Sequence, residues 1–304
     1  MTSTATEARD PQFGLALVGA AVAVVIWGAS GVLINKIDMG GLAIAVYRFW
    51  IYAIVLVLWM RTRGIRVTRE LMRNTAAGGI ALGLDVALFF SAVKETTIVN
   101  ATVISALQPV LVGAVAWRFF GERVRSRDIF LAAMAIVATL VVVAAGTDQA
   151  EWNLFGDLLA VGSVIAWSGY FVFSKASRGV VTSSEYTLGT ALWTCLITTP
   201  LAMAFGQDLS WPSATNWAWL IVLALSAGVF GHVVMNWSLV RIPLWLGSTL
   251  TLLIPVSAAT LAWIFLDQAL TVVQVVAMVA VIATLALLVS GQTMEQKAPV
   301  AEPL

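Results

Sequence analysis

Three ionisable side chains stand inside long apolar stretches of the sequence: Arg48, Asp85 and His232. Because a charge inside a bilayer is costly, such residues usually face a cavity or a partner. Asp85 shares a helical face with Phe89, and His232 lies one turn before Asn236. We expect four of these residues to line a cavity: Asp85, Phe89, His232 and Asn236. In that cavity, Asp85 and His232 would bind the ammonium or carboxylate group of a solute, or relay a proton. The alternative is that they hydrogen-bond neighbouring helices and touch no solute.

Arg48 calls for a separate interpretation. It lies six residues after Leu42, which is ~9 Å along a helix at about 1.5 Å per residue. Its long stem can carry the guanidinium to the outer membrane interface. We therefore expect a structural or topological role for Arg48. The alternative is that it binds a carboxylate, which a guanidinium matches in geometry.

Two tryptophans, Trp27 and Trp167, stand well inside apolar stretches, whereas most of the others fall near the ends of stretches. Trp167 belongs to a stripe at helical spacing with Ser163, Tyr170 and Ser174. A mixed aromatic and hydroxyl surface suits a solute with an apolar side chain and polar backbone groups. We expect Trp27, Trp167 and Tyr170 to line the cavity. The alternative is aromatic packing between helices.

Two other stretches combine polar residues with a proline. Gln108 precedes Pro109, and Ser248 lies seven residues before Pro255. We expect Gln108 and Ser248 to line the cavity as well. Since proline frees a carbonyl one turn back and permits a kink, Pro109 and Pro255 are candidate hinges for gating. The alternative is a tolerated bend with no motion.

Composition identifies the elements that must position these residues. The 304 residues are 60% hydrophobic and 11% charged, against about 25% charged in soluble domains. A membrane-spanning helix needs about 20 mostly apolar residues. Since backbone groups in lipid must be paired within their own segment, we predict an all-α membrane protein. Ten transmembrane helices are expected, within 11–35, 39–60, 75–93, 96–117, 129–147, 158–174, 186–207, 209–240, 242–266 and 268–294.

The distribution of basic residues predicts the orientation. If the amino terminus is cytoplasmic, fourteen of the 17 Lys and Arg residues, from Arg9 to Lys297, fall on the inner side. Only Lys36 and Lys94 fall on the outer side, and Arg48 lies within a span. This asymmetry is the one that the positive-inside rule describes. We therefore expect both termini to be cytoplasmic.

The two halves of the sequence resemble each other. Pro109-Val110, Trp117 and Phe120-Gly121-Glu122 recur in order as Pro255-Val256, Trp263 and Phe265-Leu266-Asp267, and Trp27 recurs as Trp167. We predict five-helix repeats at 14–146 and 153–291, joined by a linker at 147–153. Because five is odd, the repeats have opposite orientations, as in many secondary transporters whose substrate site lies between the halves. The alternative is chance similarity between Ala-, Leu- and Val-rich helices.

Two five-helix units, with a proline thirteen residues before the acidic residue in Phe120-Gly121-Glu122, resemble the EamA-type drug/metabolite transporters. Within that superfamily the chain is similar to the YddG-type amino acid exporters of bacterial inner membranes. The resemblance implies a central cavity lined by helices 1, 3, 4, 6, 8 and 9, and export of aromatic and other neutral amino acids across the cell inner (plasma) membrane. The second unit departs from the pattern, because Gln268 stands thirteen residues after Pro255 and Asp267 comes one residue early.

Other function classes find little support. The sequence has no HExxH, GxSxG or paired intramembrane aspartate motif, so we expect no enzyme, cofactor or metal. A net charge of +1 gives no reason to expect a nucleic acid partner, and no ring of repeated polar groups indicates a channel. The expected partners are a small-molecule substrate, an amino acid, and the lipid bilayer, with the protein acting as a monomer. The alternatives are transport of a cationic drug, nucleobase or other metabolite, and an intramembrane enzyme.

Overall fold

The computed structural model describes residues 12–96, 98–146 and 153–297, and these residues form helices without any strand. Ten of the helices are long and apolar enough to cross a membrane, which confirms the predicted number. In chain order they are α1 (Phe13–Asn35), α2 (Gly41–Thr62), α3 (Arg69–Glu95), α4 in two pieces (Ile98–Ser105 and Gln108–Phe120), α5 (Ser126–Ala144), α6 (Leu154–Ala176), α7 (Ser183–Ala204), α8 in three pieces (Ala214–Leu223, Ala224–Phe230 and Gly231–Leu239), α9 in two pieces (Leu244–Leu250 and Leu253–Leu266) and α10 (Val272–Lys297).

The breaks in α4 and α9 occur at matching positions, just before the two candidate hinge prolines. Pro109 is in the first turn of the second piece of α4, and Pro255 is in the first turn of the second piece of α9. Proline lacks an N–H and fits the first turn of a helix, where that group has no helical partner. Each candidate hinge proline therefore lies directly after a break in its helix.

A π-helical segment, Ala224–Phe230, interrupts α8 immediately before His232. The Trp27 indole Nε1 donates a hydrogen bond of 3.0 Å to the Ala227 carbonyl in this segment. Such wide turns are uncommon and are often found at functional sites. The bond fixes α1 against the wide turn and brings Trp27 close to His232.

The packing of α3 against α7 depends on glycine. The Trp193 side chain of α7 occupies the space where a Cβ at Gly79 of α3 would stand. Trp193 Nε1 also donates a hydrogen bond of 2.8 Å to the Met72 carbonyl. This close approach holds α3, which carries Asp85, directly against α7.

Glu122, at the end of α4, ties three helices together at one end of the bundle. Its carboxylate accepts hydrogen bonds from the backbone N–H groups of Leu244 (2.8 Å) and Trp245 (3.2 Å), which begin α9. Lys175, at the end of α6, lies 3.7 Å from Glu122 Oε1 and donates to the Ile242 carbonyl. The acidic residue of the repeated motif is thus a cap on a helix of the other half.

The predicted linker, 147–153, lies outside the described residues except for Asn153. The Asn153 side chain accepts a hydrogen bond of 3.0 Å from Gly156 N and so begins α6. Arg9 also lies outside the described part of the chain. The repeat boundaries 14–146 and 153–291 and the cytoplasmic placement of both termini stay predictions.

Candidate functional site

A cavity of about 330 Å³ lies inside the bundle, near the lower end of the ~300–1,000 Å³ typical of small-molecule sites. Its lining begins at Trp27 in α1 and Leu82 in α3, and extends to Ile34 and Phe90, close to the ends of those two helices. The cavity therefore occupies the half of the bundle in which α1 and α3 end. Six of the nine residues predicted to line it do so: Trp27, Asp85, Phe89, Gln108, Trp167 and His232.

Eight of the ten membrane-length helices contribute to the wall. The resemblance to EamA-type transporters implied α1, α3, α4, α6, α8 and α9, and each of them lines the cavity. The wall also includes Arg48 and Phe49 from α2 and Thr139 from α5. Pro255 lines the cavity, whereas Pro109 is buried beside Gln108.

Asp85 provides the carboxylate of the cavity. It lies in the middle of α3, and its Oδ1 accepts a hydrogen bond of 2.6 Å from the Ser163 hydroxyl of α6. Ser163 belongs to the stripe that sequence periodicity identified on that helix. This bond orients the carboxylate, whose second oxygen adds further capacity for accepting hydrogen bonds.

An aromatic cluster forms the deep wall. The Trp27 and Trp167 rings meet edge to face with centroids 5.3 Å apart, and the His232 ring lies 5.1 Å from Trp27. Tyr52 stacks on His232 at 5.7 Å, which sequence reasoning did not anticipate. Edge-to-face and offset arrangements are the favoured geometries for such rings. The cluster gives a solute an apolar surface with a single imidazole in it.

A hydrogen bond to α6 holds the ring of His232 in place. Its Nδ1 lies 3.0 Å from the Tyr170 hydroxyl, and that hydroxyl accepts a hydrogen bond of 2.7 Å from Asn236 Nδ2. Tyr170 therefore links His232 to Asn236 in one buried hydrogen-bonded group. The histidine is held from behind while its ring contributes to the cavity wall.

Tyr170 and Asn236, which were predicted to line the cavity, lie outside its lining. Both side chains are completely buried behind His232. Asn236 also donates to Thr187 (3.0 Å) and accepts from Ser174 (2.8 Å), so it joins α6, α7 and α8. The stripe on α6 is consequently divided, because Ser163 and Trp167 face the cavity whereas Tyr170 and Ser174 face α8.

Ser248, also predicted to line the cavity, lies outside its lining. Its hydroxyl donates a hydrogen bond of 2.8 Å to the Trp245 carbonyl of its own helix, and the side chain is fully buried. Thr251, in the break of α9, lines the cavity instead and donates to Gln108 Oε1 at 2.9 Å. The two helix breaks are thereby joined by a hydrogen bond within the cavity wall.

Arg48 is the main functional candidate that sequence reasoning misplaced. Its side chain lines the cavity, with the guanidinium 5.4 Å from the centroid of the Phe49 ring. Its Nε is buried and has no hydrogen-bond partner among the described residues. The signal was present, since Arg48 is the one basic residue that the loop assignment left within a span.

Within the described residues, no group of three His, Cys, Asp or Glu side chains is arranged to hold a metal ion. The site instead combines one carboxylate, one guanidinium and one imidazole with aromatic rings. Such a surface can bind a small solute by hydrogen bonds, charge and ring contacts.

Known proteins resemble the chain in sequence and in fold. It is 29% identical to the aromatic amino acid exporter YddG of Ancylobacter novellus over about half of each protein, 50% of this chain and 52% of YddG. It is 22% identical to the threonine/homoserine exporter RhtA of Escherichia coli (strain K12), over 79% of each chain. A solved crystal structure superposes with a TM-score of 0.80 at 19% identity, covering 91% of this chain and 97% of the other, which shows a shared fold alone.

The EamA-like transporter family matches the sequence twice, over residues 14–144 and 154–290. These two segments contain nearly all of the ten membrane-length helices and every residue of the cavity wall. The chain therefore belongs to the EamA-like transporter family and is a multi-pass membrane protein.

Proposed function

We propose that the protein is a secondary transporter that exports small neutral or zwitterionic solutes, above all aromatic and other amino acids, across the bacterial inner membrane. The observation that carries this proposal is the cavity between the two repeats, where Asp85 and Arg48 share a wall with Trp27 and Trp167. An amino acid has an ammonium group, a carboxylate and a side chain, and this wall offers a complement to each. Two relatives, which are named as exporters of aromatic amino acids and of threonine and homoserine, support the same class.

The asymmetry of the bundle supports alternating access. The lining extends toward the end at which α1 and α3 finish, whereas Tyr170, Ser174 and Asn236 form a buried polar layer on the other side of His232. Under the orientation predicted from the basic residues, the cavity opens outward and the layer closes the cytoplasmic side. Two repeats of opposite orientation can exchange these roles, which would open the other side.

A second candidate is export of an organic cation, and Asp85 in an aromatic cavity favours it. Arg48 in the same wall disfavours it, because a second positive charge would be repelled there. Solutes that carry both charges avoid this conflict.

The test is flux through the purified protein in liposomes. Labelled phenylalanine, tryptophan, threonine and a cationic dye are compared, with and without a pH gradient. We expect amino acid flux above that of protein-free liposomes, with the aromatic solutes preferred and the dye excluded. Flux of the dye alone would favour the second candidate, and flux of none of the four solutes would contradict the proposed function.

A further inference from the structure

Arg48 is a partly buried cation without a neutralising group in the described part of the chain. It lines the cavity, its Nε has no hydrogen-bond partner, and its guanidinium contacts the Phe49 ring. Within the described residues it forms no ion pair. A guanidinium removed from water is stable only when other groups satisfy its charge and its donors. An anionic group that enters the cavity would supply such a partner.

Other unpaired polar atoms lie in the same wall. Five buried side-chain nitrogen or oxygen atoms in the described part of the chain lack a hydrogen-bond partner, and three of them belong to cavity residues: Arg48, Gln108 and Thr139. Native proteins pair nearly all of their buried polar groups. A concentration of unpaired groups in one wall indicates a surface that a polar ligand completes.

Asp85 faces the same cavity, but it does not neutralise Arg48. It accepts a hydrogen bond from the Ser163 hydroxyl, and within the described residues the two opposite charges are not within ion-pair distance of each other. A cavity that keeps a cation and an anion apart matches a ligand that carries both signs of charge on separate groups.

We propose that Arg48 binds the carboxylate of the transported solute and is the residue that makes a carboxylate necessary for recognition. Asp85 then receives the ammonium group of the same molecule, and the aromatic cluster receives its side chain. This inference rests on the proposed function and deepens it, because it assigns the carboxylate of the solute to one residue.

The first arm of the test uses the unmodified protein in detergent. Phenylalanine is compared with phenylalaninamide, in which a neutral amide replaces the carboxylate, and with 3-phenylpropionate, which lacks the ammonium group. Since hydrogen bonds to charged groups are the stronger ones, we expect about tenfold to a hundredfold weaker binding of the amide. Equal binding of phenylalanine and its amide would overturn the inference without any variant.

The second arm uses Arg48→Gln, with Arg63→Gln as the matched control. Arg63 also stacks on an aromatic ring, that of Trp59, but it lies at the exposed end of α2. We expect Arg48→Gln to bind phenylalanine and its amide alike, and Arg63→Gln to keep the preference of the unmodified protein. Arg48→Lys should keep part of the preference, because it retains the charge but loses the paired donors.

The outcomes separate the two proposals. If the unmodified protein moves no amino acid in liposomes, the proposed function is wrong. If it moves phenylalanine and folded Arg48→Gln still prefers phenylalanine over its amide to the same extent, the function stands and the role of Arg48 is wrong. If Arg48→Gln does not fold, the comparison of ligands on the unmodified protein decides the question.

Discussion

A carboxylate in the middle of a membrane-length helix needs an environment that stabilises it, and Asp85 receives one hydrogen bond, from Ser163. A residue with only a packing role would be expected to have all of its acceptors used by neighbouring helices. Asp85 instead faces a cavity that aromatic rings line on other sides. We therefore expect solute binding to depend on the charge of Asp85 rather than on the shape of its side chain.

Asp85→Asn keeps the size of the side chain and an oxygen that can accept from Ser163, but it removes the negative charge. We expect the affinity for amine-bearing solutes to fall about tenfold or more, in line with the strength of charge-assisted hydrogen bonds. Binding by the detergent-purified protein measures it. Asp157→Asn is the control. Asp157 lies at the start of α6, away from the cavity wall, and accepts a hydrogen bond from Thr96. Unchanged affinity in folded Asp85→Asn would show that the charge is not used.

Helical periodicity predicted which residues share a face of a helix but not which neighbour covers that face. It grouped Ser163, Trp167 and Tyr170 correctly on one stripe of α6, yet α8 crosses that stripe and buries Tyr170 against His232. Asn236 is likewise covered, by Tyr170 of α6 and Thr187 of α7. Arg48 was misplaced because a long side chain can extend in either direction, and only the packing of α2 determines which.

At the scale of the helices, α4 and α9 each break before a proline, and Thr251 joins the two breaks through Gln108. The breaks could be predicted because proline disrupts a helix through local covalent geometry. The bond between them could not, since it depends on how two distant pieces of chain pack. Whether the breaks act as hinges is a separate question.

Pro109→Ala together with Pro255→Ala tests the hinges. Alanine favours a continuous helix, so we expect the turnover rate to fall while solute affinity is largely retained. Flux and equilibrium binding measured on the same preparation separate these two quantities. Pro200→Ala is the matched control, since Pro200 lies within the unbroken helix α7. An equal loss in the control, or full turnover in the double variant, would argue against hinges at these positions.

The cap formed by Glu122 gives a second prediction for the helices. Glu122→Gln removes the charge that accepts from the first N–H groups of α9 and that lies near Lys175. We expect a loss of about 1–2 kcal/mol of stability, typical of a helix cap with a charge interaction. Thermal unfolding in detergent measures it.

The same substitution should loosen the closed end of the bundle. A cysteine placed at buried Ser174 should react faster with a thiol reagent in the Glu122→Gln background. Glu70→Gln, in the exposed first turn of α3, is the control and should change neither quantity. Stability and labelling equal to those of the parent protein would show that Glu122 does not hold this end closed.

For the whole molecule, the orientation in the membrane is the property on which the direction of transport depends. The number of membrane-length helices follows from hydropathy alone, and it was predicted correctly. The orientation was predicted from loop charges, which act during insertion into the membrane and leave no contact in the folded bundle. It therefore needs a measurement of its own.

Cysteine labelling provides that measurement. Cys195 is the only cysteine of the chain and is fully buried, so an introduced cysteine is the expected site of reaction. We expect Ser210→Cys, in the exposed loop before α8, to react with an impermeant reagent on intact cells. Arg66→Cys, in the exposed loop before α3, should react only after permeabilisation. The opposite pattern would reverse the orientation and make the cavity face the cytoplasm.

The wide turn at Ala224–Phe230 affects how α8 responds to the loss of a residue. One additional residue in a helix rotates everything beyond it by about 100°, since an α-helix has 3.6 residues per turn. His232 and Asn236 follow that turn and point inward. The wide turn takes up the additional residue locally, so deleting one residue within the segment should restore a regular α-helix, keep His232 and Asn236 pointing inward, and remove the turn whose Ala227 carbonyl binds Trp27.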